Sequence, residues 1–301
     1  MSATGLPEPI FVGGVGRSGT HPMGRLIGAD PHYHWINTEA RFHASARGLP
    51  DLCAGRTSMA DFLELMRAQW YRRGARQAQG LQRIIEPDEY EAALVEFEAA
   101  FARDRTAASR QLVRRLLDPA AAAAGKPAWV EITGGVIEYA QFLLELFPAA
   151  RFINMVRDGR AVVAGTLRKV DLTDDPVVAL DRWERMVVGA SRAIEALGPD
   201  RVLTVHLDDL TARAREPTFA RVVEFLAIED PSAMRSYFDR EISAERAHVG
   251  KWRERIAPAD ARLIDRRYRR LIRRLHRQGI DWAPAPEDES IGRRILTAPL
   301  R

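Results

Sequence analysis

A chain of 301 residues, 46% hydrophobic and 29% charged, carries enough apolar material for a large core. Its one cysteine, Cys53, excludes an intrachain disulfide framework and a thiolate metal cluster, and no apolar run reaches the ~18 residues that a membrane span needs. The formal net charge of +4 rests almost wholly on arginine, with Lys126, Lys169 and Lys251 the only lysines; a GC-rich codon bias accounts for that pattern, and no nucleic-acid partner is expected.

At the amino end, residues 1–9 have neither the basic stretch nor the apolar core of a signal peptide, so a soluble, cytoplasmic protein is expected. Residues 9–15 (PIFVGGV) form an apolar run ending in glycines, and residues 18–29 have helical spacing, which together predict a strand, a tight loop and a helix. A second strand is predicted at 33–36. Residues 56–125 are rich in Ala, Arg, Glu and Leu, with apolar spacing at Phe62, Leu65 and Met66 and again at Leu94, Phe97 and Phe101; this reads as a helical insertion. Strands follow at 128–132, 151–156 and 201–206, with helices at 136–147 and 176–197 between them. Residues 262–278 form an amphipathic helix with Leu263, Ile264, Tyr268, Leu271, Ile272 and Leu275 on one side and arginines on the other. A Pro-rich, polar, mobile tail is expected over 283–301. The alternation implies a single domain over 1–301. Its expected class is α/β, P-loop-like and three-layered, with a mainly parallel sheet of about five strands and a helical insertion. In such sheets ligands sit at the carboxyl ends of the strands.

The first strand-to-helix loop, Gly13 to His21 (GGVGRSGTH), lets backbone amides approach an anion at a helix start. Gly14 to Gly19 has the spacing of a nucleotide-triphosphate loop, but Thr20 stands where that loop needs its lysine and His21 where it needs its magnesium-binding hydroxyl. An ATP-dependent kinase is thereby disfavoured, and a plain tight turn is the other reading of the loop.

The run IFVGGVGRSGTHPMGRLIGADP resembles the 5′-phosphosulfate loop of sulfotransferases that use 3′-phosphoadenosine 5′-phosphosulfate (PAPS), most nearly the tyrosylprotein sulfotransferases. RFINMVRDGR (151–160) resembles the 3′-phosphate-binding strand and loop of that family, and weaker similarity runs through Arg168, Lys169, Val170, Trp183, 201–210 and HVGKW (248–252). The resemblance implies PAPS as co-substrate, with no metal. It implies that Gly16, Arg17, Ser18, Gly19, Thr20 and His21 hold the 5′ side, that Arg157 grips the 3′-phosphate, and that Lys251 and Trp252 close over the nucleotide. Loop amides with Arg17 and the Ser18 and Thr20 hydroxyls suit a leaving phosphate on chemical grounds too. The segment NTEAR (37–41) resembles the stretch that carries the catalytic base, which implies Glu39 as base and Arg41 as its neighbour in the site; His43 is the second candidate base, with His34 and His21 also near in sequence.

Three positions depart from the family pattern. Gly165 replaces a 3′-phosphate-binding serine, with Thr166 expected to substitute; Ile132 replaces a lysine after the third strand; and Leu207 replaces a tyrosine on the adenosine side. The function expected is sulfuryl transfer to a hydroxyl or amine, the alternatives being a noncatalytic relative that binds PAPS or 3′,5′-bisphosphoadenosine (PAP), or a kinase. The acceptor is a small molecule, a carbohydrate, a lipid or a peptide tyrosine, and the chain is free to form a homodimer.

Overall fold

The structure, a computed structural model, describes residues 8–72, 80–168 and 173–286. Strand β1 (Ile10–Gly14) leads through the glycine loop to α1 (Thr20–Gly28) and β2 (Tyr33–Trp35). Helices α2 (Leu49–Cys53) and α3 (Met59–Leu65) follow; α3 runs into a π-helical turn, Met66–Tyr71. The long α4 (Pro87–Phe101) and α5 (Arg105–Ala123) complete the expected helical insertion. Then come β3 (Ala128–Glu131), α6 (Ala140–Leu146), β4 (Arg151–Val156), α7 (Gly159–Thr166), α8 (Pro176–Leu197) and β5 (Val202–His206). The chain closes with α9 (Arg215–Leu226), α10 (Ser232–Glu241), α11 (Ala244–Ala247) and α12 (Pro258–Arg277).

The strands form one sheet in the order β2-β3-β1-β4-β5. Both β1 and β2 pair with β3 in parallel, with Ile10 and Trp35 each opposite Val130. Every residue of β1 is buried, which is why the strand reads as a continuous apolar run rather than an alternating one. Local signals set the helix ends. Asp175 caps α8 by accepting from the Val177 and Val178 amides, Pro176 occupies the first turn, and Gly198 takes φ 74° just beyond the end. The helix expected over 136–147 instead divides into a 3-10 turn, Val136–Tyr139, and α6.

The described residues fall into two compact units, one within 1–13 and 23–153, the other within 14–22 and 154–301. In the first, Phe11 stacks on Phe152 at 5.4 Å and meets the edge of Trp129 at 5.6 Å. The Lys126 ammonium donates to the carbonyls of Gly28, Asp30 and Tyr33, which ties off the end of α1. In the second unit, Trp183 packs edge-on to Tyr268 at 5.4 Å, among Val162, Val163, Ile264 and Leu275. Burying each such side chain contributes about 1.5–3 kcal/mol. That core reaches into the expected tail. Ala283 is buried, and the Pro284 carbonyl accepts from the Tyr268 hydroxyl at 2.6 Å, so the tail's first residues are packed rather than mobile; residues 287–301 lie outside the described residues. Among the described residues no helix is long and apolar enough to cross a membrane.

Candidate functional site

In the second unit the glycine loop is shaped by positions that only glycine fills well. Gly14 has φ 135°, and a Cβ there would collide with the Met155 carbonyl oxygen. Gly19 has φ 98° and lies so close to Leu207 that a Cβ would come within 2.7 Å of it, so the leucine that replaces the family's tyrosine is a packing residue of this loop. The Ser18 amide closes a turn onto the Val15 carbonyl at 3.0 Å, and α1 starts at Thr20. Ser18 is fully buried, and its hydroxyl has no partner among the described residues. Thr20 is buried, while Gly16, Arg17 and His21 are exposed.

Arg157 follows β4 and is 8% exposed. Its guanidinium donates to the carbonyls of Arg17 (3.3 Å) and Ala247, and its Nε has no partner among the described residues. Burial, then Arg255 and Arg17, push the guanidinium pKa down against the pull of Asp208 and Asp158. Arg255 is lowered in the same way by burial, Arg168 and Arg17. His248 is lowered by burial and then by Arg255, Arg157, Lys251 and Arg168. These groups crowd one another with like charge, an arrangement that favours a bound anion. Arg168 and Arg255 thus join the expected set. Lys169 and Val170 lie outside the described residues.

The other expected residues of this unit have visible tasks. A Cβ at Gly165 would lie 3.3 Å from the Arg17 side chain, so glycine there leaves Arg17 its room. The Thr166 hydroxyl donates to the Val162 carbonyl at 2.9 Å, which spends its proton inside α7. Trp252 is buried between the guanidiniums of Arg160 (4.9 Å) and Arg253 (4.4 Å), and Lys251 beside it is half-buried. Arg160 bonds Asp158 and Asp265 from a fully buried position; burial opposes its charge, and the two carboxylates more than offset that. This network braces the loop that carries Arg157, whose carbonyl accepts from Trp183 Nε1 at 3.2 Å.

In the first unit, Glu39 Oε2 accepts from Arg41 Nε at 2.8 Å and Nη2 at 2.5 Å. The two side chains are 23% and 43% exposed, and Arg41 has φ 63°. His43, the second candidate base, is fully buried, and its Nε2 lies 3.1 Å from Glu131 Oε2. His34 is half-buried on β2, its pKa lowered by burial and then by Lys126. Ile132 is fully buried against Gly24, whose Cβ would come within 2.6 Å of it, so the place of the family's lysine is a packed core position. Glu131 went unnoticed in the sequence, although an acidic residue ending a buried apolar strand was the available signal. Among the described residues no three His, Cys, Asp or Glu side chains are grouped to hold a metal ion.

Residues 9–232 match the profile of the Sulfotransferase family. The chain is 22% identical over 224 residues to a protein-tyrosine sulfotransferase of Drosophila melanogaster, covering 73% of this chain and 38% of that one. It is 33% identical over 94 residues to protein-tyrosine sulfotransferase A of Caenorhabditis elegans, covering 30% and 24%. The chain thus spans well under half the length of these relatives. Among solved structures it resembles the sulfotransferase domain of the Synechococcus PCC 7002 olefin synthase (TM-score 0.57, 18% identity, 87% and 95% covered). It also resembles the sulfotransferase domain of the curacin biosynthetic pathway (TM-score 0.56, 14% identity, 93% and 99% covered). With the profile matching most of its length, the chain belongs to the sulfotransferase family.

Proposed function

We propose that this protein transfers the sulfuryl group of PAPS to a hydroxyl or amine acceptor. The observation that carries the reading is the incomplete anion site of the second unit. There a buried serine hydroxyl and a buried arginine Nε lack partners among the described residues, and that arginine, though near Asp208 and Asp158, also feels the like charges of Arg255 and Arg17. A doubly phosphorylated nucleotide supplies what these groups need, with Arg157, Arg168 and Arg255 suited to a 3′-phosphate and Arg17, Ser18, Thr20 and the loop amides to the 5′ side. In the reaction Glu39 takes the acceptor's proton, the acceptor oxygen or nitrogen forms a bond to sulfur, and the sulfur–oxygen bond to the 5′-phosphate breaks. The departing electron pair stays on that phosphate, and Arg17 with its amides neutralises it. Because the fly and nematode relatives are named for protein tyrosine, peptide tyrosine is the first acceptor to test, ahead of carbohydrate, lipid and small-metabolite hydroxyls.

The test needs no knowledge of the acceptor. With a chelator present, PAP at a hundredfold excess over its Kd stabilises the fold by about 2.7 kcal/mol, a rise in Tm of roughly 5–10 °C for a chain of this size. AMP and ATP, which lack a 3′-phosphate, give much smaller shifts. A larger shift with magnesium and ATP, and none with PAP, overturns the reading. A PAP shift without transfer from labelled PAPS to any acceptor in a screen leaves a binding protein, the alternative that Ile132 favours.

A further inference from the structure

Glu131 ends an otherwise apolar strand and is fully buried. A carboxylate in that position is costly unless its lone pairs are filled. Here Oε1 accepts from the Ala40 amide at 3.0 Å and the Thr133 hydroxyl at 2.6 Å, and Oε2 accepts from the Thr133 amide at 2.9 Å and lies 3.1 Å from His43 Nε2. An ionised carboxylate offers about four acceptor sites, and every one is used. The Thr133 hydroxyl also accepts from the Arg41 amide at 3.1 Å. Two successive amides of the loop, Ala40 and Arg41, are thus tied to the end of β3. Between them they hold Arg41 in the left-handed region, a conformation that costs an arginine on the order of 1 kcal/mol and lasts only where surrounding contacts enforce it. The return for that strain is the Arg41 guanidinium folded back onto Glu39.

We propose that Glu131, with Thr133 and His43, is the positioning residue of the catalytic loop: it fixes Ala40 and Arg41 so that Arg41 orients the Glu39 carboxylate and supplies the cation that Ile132 does not. The inference rests on Glu39 being the base. Glu131 itself touches no reacting atom.

Glu131→Gln keeps the shape but turns an amide NH2 toward donors, so one side of the clamp opens. Hydrogen exchange at the Ala40 and Arg41 amides then accelerates at least about tenfold while β4 keeps its protection. Turnover of labelled PAPS, with the acceptor found by screening or with water, falls roughly 10²-fold, the size of effect expected from misplacing a reactive group by an ångström. The KM for PAPS and the PAP-induced Tm shift stay as in the parent. In a Glu39→Gln background the substitution causes no further loss, since the two act on one step. Unchanged exchange at Ala40 and Arg41, or losses that multiply in the double variant, overturn the proposal. If Glu131→Gln does not fold, Thr133→Val removes the acceptor of the Arg41 amide together with one hydroxyl donor to Glu131, leaves the Ala40 bond to Glu131 in place, and is read by the same exchange and turnover. Should Glu39→Gln leave turnover intact, the base assignment fails, and the exchange data still decide whether the clamp exists.

Discussion

The two groups of candidate residues, one in each unit, are built on different plans. Around Arg157, in the second unit, polar atoms are left over and positive groups repel one another. Around Glu39, in the first unit, the carboxylate is paired and the amides of Ala40 and Arg41 are bonded to buried acceptors. The difference follows from what each has to do. A group that receives an anion must keep donors in reserve, because donors already satisfied within the protein gain nothing from the ligand. A group that abstracts a proton must already be in place, because rate depends steeply on its position.

The largest effect expected from breaking this division is on the fixed half. Glu39→Gln lowers turnover by roughly 10²- to 10⁴-fold, the range for losing a general base, with little change in PAP affinity. Steady-state rates within a few fold of the parent sink the assignment. Next is the brace behind the reserve half. Arg160→Ala leaves Asp158 and Asp265 without their buried partner and takes one face from Trp252, and the cost is about 3–5 kcal/mol of stability by denaturant unfolding. A loss below about 1 kcal/mol would show that the network is as weak as an ordinary surface pair. Smaller again is Arg157→Ala, which weakens PAP binding by about 1.5–3 kcal/mol and leaves a nucleotide without a 3′-phosphate nearly unaffected. Titration calorimetry with both ligands decides it; equal losses mean that Arg157 does not read the 3′-phosphate.

The same contrast explains how much of the molecule was legible in the sequence. Strand β4 and helix α8 were readable to the residue, because burial on both faces and a cap of Asp, Pro and Gly are local signals. The glycine turn and the position of Arg157 just past β4 were legible because each lies in one short run of unusual residues after an apolar strand. The clamp was not, since its bonds join residues 91 and 92 positions apart and depend on where β3 ends relative to the loop after β2. The partner of His43 was hidden for the same reason: its proximity to Glu39 in sequence was visible, and its contact with Glu131 was not. Thr166 was legible as a hydroxyl near the right place, whereas its bond to Val162 becomes visible only once α7 is formed.

The smallest expected effect, on stability against pH, sharpens the comparison by setting a carboxylate of one unit against a carboxylate of the other. Burial pushes the Glu131 carboxyl up, but the adjacent His43 and the bonds from His43 and Thr133 outweigh it and hold the group below the ordinary carboxylate range. Asp265 is likewise lowered, burial again opposing and Arg269 and Arg160 prevailing. A carboxyl whose folded pKa lies below its unfolded one contributes stability that is fully present above the unfolded value, about 4.3 for Glu and 3.9 for Asp. That contribution is lost as pH falls through the folded value, because the unfolded chain then binds the proton first. Denaturant midpoints followed from pH 7 downward therefore fall less steeply in Glu131→Gln and in Asp265→Asn than in the parent. The two variants should differ in salt response. Asp265 is 17% exposed and faces arginines, so added salt flattens its share of the acid limb, while the enclosed Glu131 share persists. Parallel acid limbs for the parent and Glu131→Gln would show that Glu131 is not held as the ionised centre of the clamp.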